Sequence, residues 1–168
     1  VRRWLGLEQS LHDYHQHCIV GTVTSERDHQ HSCWQHYQQD GLPFALLPLA
    51  DKTCSVAWYV PSSQVEHTLA LNAEQQSQAM TLASAQMLGE LMPVGQLAAF
   101  PLIKRQTERY VADHALLIGD AAHTLHPQAG QGVNLGFLDV IALQNTLQNA
   151  LDRCQPIGDE RALKHYER

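Results

Sequence analysis

The chain has 168 residues and a formal net charge of −6, with an isoelectric point near 6.0. That length suits one domain or parts of two, and the acidic balance excludes nucleic acid as a partner, because phosphate binding needs clustered Lys and Arg. No run of about 18 apolar residues is present, so nothing in the sequence spans a membrane, and no secretory signal opens it.

Four cysteines, Cys18, Cys33, Cys54 and Cys154, form no CxxC pair. They read as reduced thiols of a cytoplasmic protein, serving as small packing residues.

In chain order, Trp4 to His17 is a mixed polar stretch, and the β-branched run Cys18 to Thr24 predicts a strand. Glu26 to Ser32 is charged and His-rich and reads as a loop. Cys33 to Gln38 alternates, Asp40-Gly41 signals a turn, and Phe44–Leu49 and Cys54–Val60 predict two further strands. Four strands on short connections predict an antiparallel sheet. Asn72 suits a helix cap, with a helix expected from Ala73 to Leu91 whose stripe is Met80, Ala83, Met87 and Leu91. Pro93 and Gly95 are expected to close it. Leu97 to Ile103 is extended, and Lys104 to Arg109 reads as a solvated connector.

The organising stretch is Leu116 to Val140. A short apolar strand, Ala115 to Ile118, breaks at Gly119-Asp120. A loop of small residues and a Pro follows, and a helix begins near Gly132 to Leu135. Strand, glycine turn and helix N-terminus make a phosphate- or cofactor-shaped site, since small residues let backbone N–H groups approach a ligand and the helix end favours negative charge. The buried stripe expected on the helix is Leu135, Val140, Ile141, Leu143, Leu147 and Leu151. Pro156–Gly158 breaks it, and another helix begins in Asp159–Arg168.

The run GDAAHTLHPQAGQGVNLGFLDV (Gly119 to Val140) resembles the second flavin-binding segment of the FAD-dependent aromatic hydroxylases, the family that includes para-hydroxybenzoate hydroxylase, and within it is most similar to the ubiquinone-biosynthesis hydroxylases. DGLPFALLPLADKTCSVAWYV (Asp40 to Val60) and the FPL of Phe100 to Leu102 resemble the substrate-domain strands of those enzymes. CWQHYQQDGLPFALLPL (Cys33 to Leu49) is similar to the branch that hydroxylates a methylated methoxy-benzoquinol.

The resemblance implies an α+β fold, an antiparallel substrate-domain sheet covered by helices, over residues 1–110. Residues 111–168 would be the C-terminal part of an FAD-binding domain. The sequence has no GxGxxG; the glycines at 130, 132 and 136 follow another spacing. The family carries that fingerprint near its N-terminus, so an internal fragment is expected, inactive by itself and prone to self-association through exposed apolar surface. The implied activity is hydroxylation of an aromatic or quinol ring with NAD(P)H and O₂. The substrate would be a polyprenylated quinol or phenol, and the work would be done at the inner face of a membrane or in a soluble biosynthetic complex; a small soluble phenol is the alternative.

By that resemblance the cofactor-binding residues are Gly119, Asp120, Pro127, Gly130, Gln131, Gly132, Val133 and Asn134. Asp120 would meet the ribityl hydroxyls, with a turn-capping Asp as the alternative. Pro127 would stiffen the wall beside the isoalloxazine ring, and the helix start would stabilise negative charge on the reduced ring. Gln128 departs from the usual Leu and sets a polar group there. Lys104 to Arg109 offers basic groups for a nicotinamide cofactor's phosphate. His123 is a candidate base, whereas His126 reads as ordering the loop. A rival class is a non-catalytic metal-binding or scaffold domain built on His12, His15, His17 and Cys18, or on His29, His31, Cys33 and His36. Neither spacing matches a compact zinc pattern.

Overall fold

The computed structural model describes residues 2–126 and 130–167. Two compact units emerge, one of His15–Leu102 and one of Val1–Tyr14 with Ile103–Arg168. Sequence alone set a single boundary at 110. The first residues join the second unit because Leu7 packs with Ala112, Leu117 and Ala122, Glu8 O accepts from Glu108 N at 3.1 Å, and Arg2 Nη1 donates to Ala121 O at 3.3 Å.

The His15–Leu102 unit is a helix-covered antiparallel sheet. Its strands are β1 (Gln9–Ser25), β2 (Trp34–Tyr37), β3 (Pro43–Pro48), β4 (Thr53–Pro61) and β5 (Leu91–Thr107), of which β1 and β5 also run on into the other unit. They lie in the order β2-β3-β4-β1-β5. In the antiparallel registers Ile19 faces Trp58, Val23 faces Cys54, and Phe44 faces Trp58. Side chains alternate across a strand, so Ile19, Val23, Phe44, Leu46, Val56 and Trp58 share one face. They form the core with Met80, Leu88 and Leu91.

Two helices, α1 (Val65–Ala70) and α2 (Ala73–Ala83), supply the covering layer. Val65 and Leu69 of α1 pack on that core. The α2 start is a capping box: Asn72 accepts from Gln75 N at 2.9 Å, and Asn72 N donates to Gln75 Oε1 at 3.1 Å. The sequence placed strands β2 to β4 within a residue of their bounds and found the Asn72 cap.

It missed where α2 stops. The helix ends at Ala83, not Leu91, and Ala85 and Gln86 turn into positive φ. Residues 88–90 are drawn out of the helix by the chain at 26–27: Arg27 N donates to Leu88 O and Glu26 N to Glu90 O, each at 2.9 Å. The Glu26 carboxylate accepts in return from Glu90 N at 3.1 Å. Gly89, at φ +73, makes this turn. Pro93 and Gly95, expected to close the helix, lie inside β5. Lys104 to Thr107, expected as a solvated connector, completes β5, with Thr107 buried.

In the other unit, the end of β5 pairs with β8 (His123–Thr124), Gln106 opposite His123. A hairpin of β6 (Val111–Ala112) and β7 (Ala115–Leu116) precedes the central turn. Two helices follow, α3 (Gly132–Asp152) and α4 (Glu160–Leu163). The α3 stripe differs from the expected one. Thr146 and Ala150 are buried, and Leu135, Asp139, Leu143 and Leu147 are half-buried. Val140, Ile141 and Leu151 are exposed, as are Val133, Phe137 and Leu138. The 3.6-residue period runs through Asp139, Thr146 and Ala150, which a hydrophobicity reading passes over because they are polar or small. Among the described residues, no helix is long and apolar enough to cross a membrane.

Candidate functional site

Hydrogen bonds from several elements build the Gly119–His123 segment. After β7 the chain enters a single 3₁₀ turn, Gly119–Ala121, closed by Ala122 N donating to Gly119 O at 2.9 Å. Gly119 lies at φ +55, where a Cβ-bearing residue is strained. The far side of the turn is held by β5: Thr107 N donates to Ala122 O at 2.8 Å and Thr107 Oγ1 to Ala121 O at 3.3 Å. Asp120, at the apex, is exposed.

The near side is held by α3. Asp139 Oδ2 accepts from Gly119 N at 2.7 Å and from His123 Nε2 at 2.9 Å. Both side chains are largely shielded, at 10% and 13% relative exposure for His123 and Asp139. Tyr110 meets the His123 ring edge-on, with centroids 5.9 Å apart. Tyr166 Oη donates to Leu117 O at 3.2 Å. Burial, the Asp139 charge, Tyr110 and a hydrogen bond to Asp139 together hold the Tyr166 phenol well above its usual range. His126, beyond the turn, packs edge-on against Tyr14 at 4.7 Å, and burial lowers its pKa.

The start of α3 is polar backbone in the open. Gln131 occupies the N-cap without a side-chain cap, and the first turn holds no acidic residue. The first amide bonded back along the helix is Leu135 N, to Gln131 O at 3.0 Å. The N–H groups of Gly132, Val133 and Asn134 therefore have no partner within the helix. Residues Gly130 to Asn134 are all exposed. A Cβ built at Gly119, Gly130 or Gly132 meets no atom within 4 Å, so bare backbone faces open space at three points.

Of the residues expected to hold a cofactor, Gly119 and Asp120 sit on the turn, and Gly130, Gln131, Gly132, Val133 and Asn134 sit at the helix entry. Pro127, and Gln128 beside it, lie outside the described residues. His123, the candidate base, is engaged by Asp139. The sequence missed Asp139, Tyr166 and Arg2. For Asp139 a signal existed: it stands four residues from both Leu135 and Leu143, so a carboxylate occupies the packing stripe and needs donors there. Nothing in the spacing announces Tyr166 or Arg2, whose partners are backbone carbonyls far away in the chain.

The histidine clusters do not converge. His29 is buried and accepts from His31 N through Nδ1 at 3.1 Å, and Trp34 Nε1 donates to His29 O at 3.0 Å. His31 and Cys33 are exposed. Among the described residues, no group of three or more His, Cys, Asp or Glu side chains is placed to hold a metal ion. All four cysteines are free. Burial raises Cys18 to about 11, with a Tyr59 hydrogen bond working against it.

A chain with an open glycine turn, an exposed carboxylate and an uncapped helix start can bind a ligand rich in hydroxyls and electronegative ring atoms. The FAD binding domain family matches residues 1–168, and the chain belongs to it. The residues present fit such a ligand: Asp120 is an exposed carboxylate, and Gly130 to Asn134 are exposed at a helix start with no side-chain cap.

Several similar curated proteins are named as hydroxylases or monooxygenases of ubiquinone biosynthesis. The chain is 37% identical over 167 residues to the 3-demethoxyubiquinol 3-hydroxylase of Escherichia coli (strain K12), covering 99% of this chain and 42% of that protein. It is 36% identical to the ubiquinone hydroxylase UbiL of Rhodospirillum rubrum, covering 99% and 39%. It is 30% identical over 201 residues to the mitochondrial ubiquinone biosynthesis monooxygenase COQ6 of Xenopus tropicalis, covering 99% and 43%. The chain thus spans well under half the length of these relatives. Among solved structures, PqsL of Pseudomonas aeruginosa, a probable FAD-dependent monooxygenase, shares the fold at TM-score 0.74 and 23% identity, covering 98% of this chain and 46% of that one.

Proposed function

We propose that the protein containing this chain is a flavin-dependent hydroxylase of a polyprenylated quinol ring in ubiquinone biosynthesis, using NAD(P)H and O₂. The observation that carries the reading is the exposed Asp120 carboxylate on the glycine turn together with the exposed, uncapped helix start at Gly130–Asn134, in a chain 37% identical to a demethoxyubiquinol hydroxylase across 99% of its length. When bound, FAD supplies the redox and oxygen-transfer chemistry. The chain's own residues bind and orient it. Asp120 accepts hydrogen bonds from the ribityl hydroxyls, and the amides of Gly132 to Asn134 donate to the electronegative edge of the ring and stabilise charge there.

In this reading the His15–Leu102 unit is substrate-domain and the other unit is flavin-domain. The sheet face turned away from α1 and α2 carries Val20, Ala45 and Ala57 with the buried Tyr59, beside the polar pair Thr22 and Ser55, and a quinol ring and its lipid tail would lie against its apolar part. The enzyme would meet such a substrate at the inner face of a membrane or within a biosynthetic complex.

The test uses the full-length protein. It is expected to purify with flavin absorbance and to hydroxylate a short-chain demethoxyquinol with NADH or NADPH. Asp120→Ala is expected to weaken FAD binding roughly 10-fold or more, the scale of a lost hydrogen bond to a charged group. A full-length protein that binds no FAD contradicts the flavin reading. One that binds FAD yet hydroxylates only small soluble phenols contradicts the substrate assignment.

A further inference from the structure

Two parts of the flavin site are separate in the chain. The turn bearing Asp120 follows β7, and the exposed amides of Gly132 to Asn134 open α3. Any ligand that touches both requires their spacing to be fixed. The turn reaches the described part of α3 at two points. At one, a Cβ on Gly136 would stand 3.6 Å from the Gly119 Cα, so the helix and the turn approach each other backbone to backbone. The other is Asp139, two helical turns below Gly132.

A carboxylate on a packing stripe is costly unless donors meet it. Here one oxygen, Oδ2, receives two: Gly119 N at 2.7 Å and His123 Nε2 at 2.9 Å. Such charge-assisted bonds are short and directional. They grip the turn at both ends, residue 119 before Asp120 and residue 123 after it. His123 is fixed from a second direction, since its backbone pairs with Gln106. Tyr166 adds a third tie, donating to Leu117 O at 3.2 Å while its phenol also lies within the influence of Asp139. The His123 and Asp139 side chains are largely shielded, whereas Asp120, between the two grips, is exposed.

We propose that Asp139 is a positioning residue for FAD: its carboxylate, bonded to the Gly119 amide and the His123 imidazole, locks the Asp120 turn to α3 so that the carboxylate and the helix-start amides meet the cofactor as one preformed surface. His123 acts as the second half of the lock and not as a base. This rests on the reading of Gly119–Ala122 and Gly130–Asn134 as flavin-binding.

The test is a double-mutant cycle in the full-length protein, reading FAD dissociation constants by flavin fluorescence on protein refolded or purified without cofactor. Asp120→Ala and Asp139→Ala are each expected to weaken FAD roughly 10- to 100-fold. The double variant should be little worse than either single one, because Asp139 works through the placement of Asp120. Amide exchange of the cofactor-free protein gives a second readout: Asp139→Ala should speed exchange across residues 119–123, and Asp120→Ala should not. Asp139→Asn, which keeps an acceptor for Gly119 N, should fall between wild type and Asp139→Ala, and stands in if the Ala variant fails to fold. Fully additive losses, or an Asp139 variant that folds and binds FAD as wild type does, overturn the proposal while leaving the flavin segment intact. Wild-type affinity in Asp120→Ala strikes the flavin-segment reading itself, and the proposal falls with it.

Discussion

The two units hold their shapes by different means. In the His15–Leu102 unit, an apolar core does the work: Ile19, Val23, Phe44, Leu46, Met80 and Leu91 are all fully buried, and a helix layer covers one sheet face. In the other unit the buried apolar clusters are small, Leu7 with Ala112, Leu117 and Ala122 in one, Val111 with Leu163 and Tyr166 in another. Side-chain to backbone bonds fasten what burial does not: Asp139 to Gly119, Thr107 to Ala121, Tyr166 to Leu117, and Glu167 to Tyr110 and Val111. Hydrophobic burial is non-directional and suits a platform. A ligand-binding turn needs placement to fractions of an ångström, and directional polar bonds supply that.

Perturbing each kind of support separates them. The largest effect is expected from Phe44→Ala, which empties a fully buried site against Trp58 and should cost about 3–5 kcal/mol of stability, read from urea unfolding of the full-length protein. FAD affinity of the fraction that remains folded should hardly change; a large loss of affinity there would mean the two kinds of support are not separable. A smaller effect is expected from Glu167→Ala. Its carboxylate accepts from Tyr110 N at 2.7 Å and Val111 N at 2.8 Å, and freeing two amides should cost about 1–2 kcal/mol, with faster exchange confined to residues 110–117.

The smallest effect near neutrality concerns pH. The Cys18 thiol has a folded pKa raised from 9.0 to about 11 because it is buried. The native state holds its proton more tightly than the unfolded chain does. The stability this contributes is therefore complete below pH 9 and is lost as pH rises through about 11. Comparing wild type with Cys18→Ala at pH 8 and pH 10.5 should show the stability gap between them narrowing or reversing at the higher pH. A constant gap would mean Cys18 is hydrated in the folded protein.

The same contrast explains what could be read from sequence. Strands β2 to β4 and the Asn72 cap were legible because alternation and capping are local patterns. The family resemblance of residues 119–140 was legible because Asp120, Pro127 and the glycines occur together. The end of α2 was not, because Glu26 and Arg27, sixty residues earlier in the chain, take residues 88–90 for their own pairing. The inward face of α3 was misread at Val140, Ile141 and Leu151 because hydrophobicity alone ranks them above Asp139, Thr146 and Ala150. Tyr166 and Arg2, bonded to backbone carbonyls far off in the chain, leave no period to detect.

Whether Gly119–Ala122 and Gly130–Asn134 form the surface that holds the flavin is decided by amide hydrogen exchange of the full-length protein with and without FAD. Protection on adding FAD is expected at Gly132, Val133 and Asn134 and across Gly119 to Ala122. FAD binding that leaves exchange at those amides unchanged would contradict it.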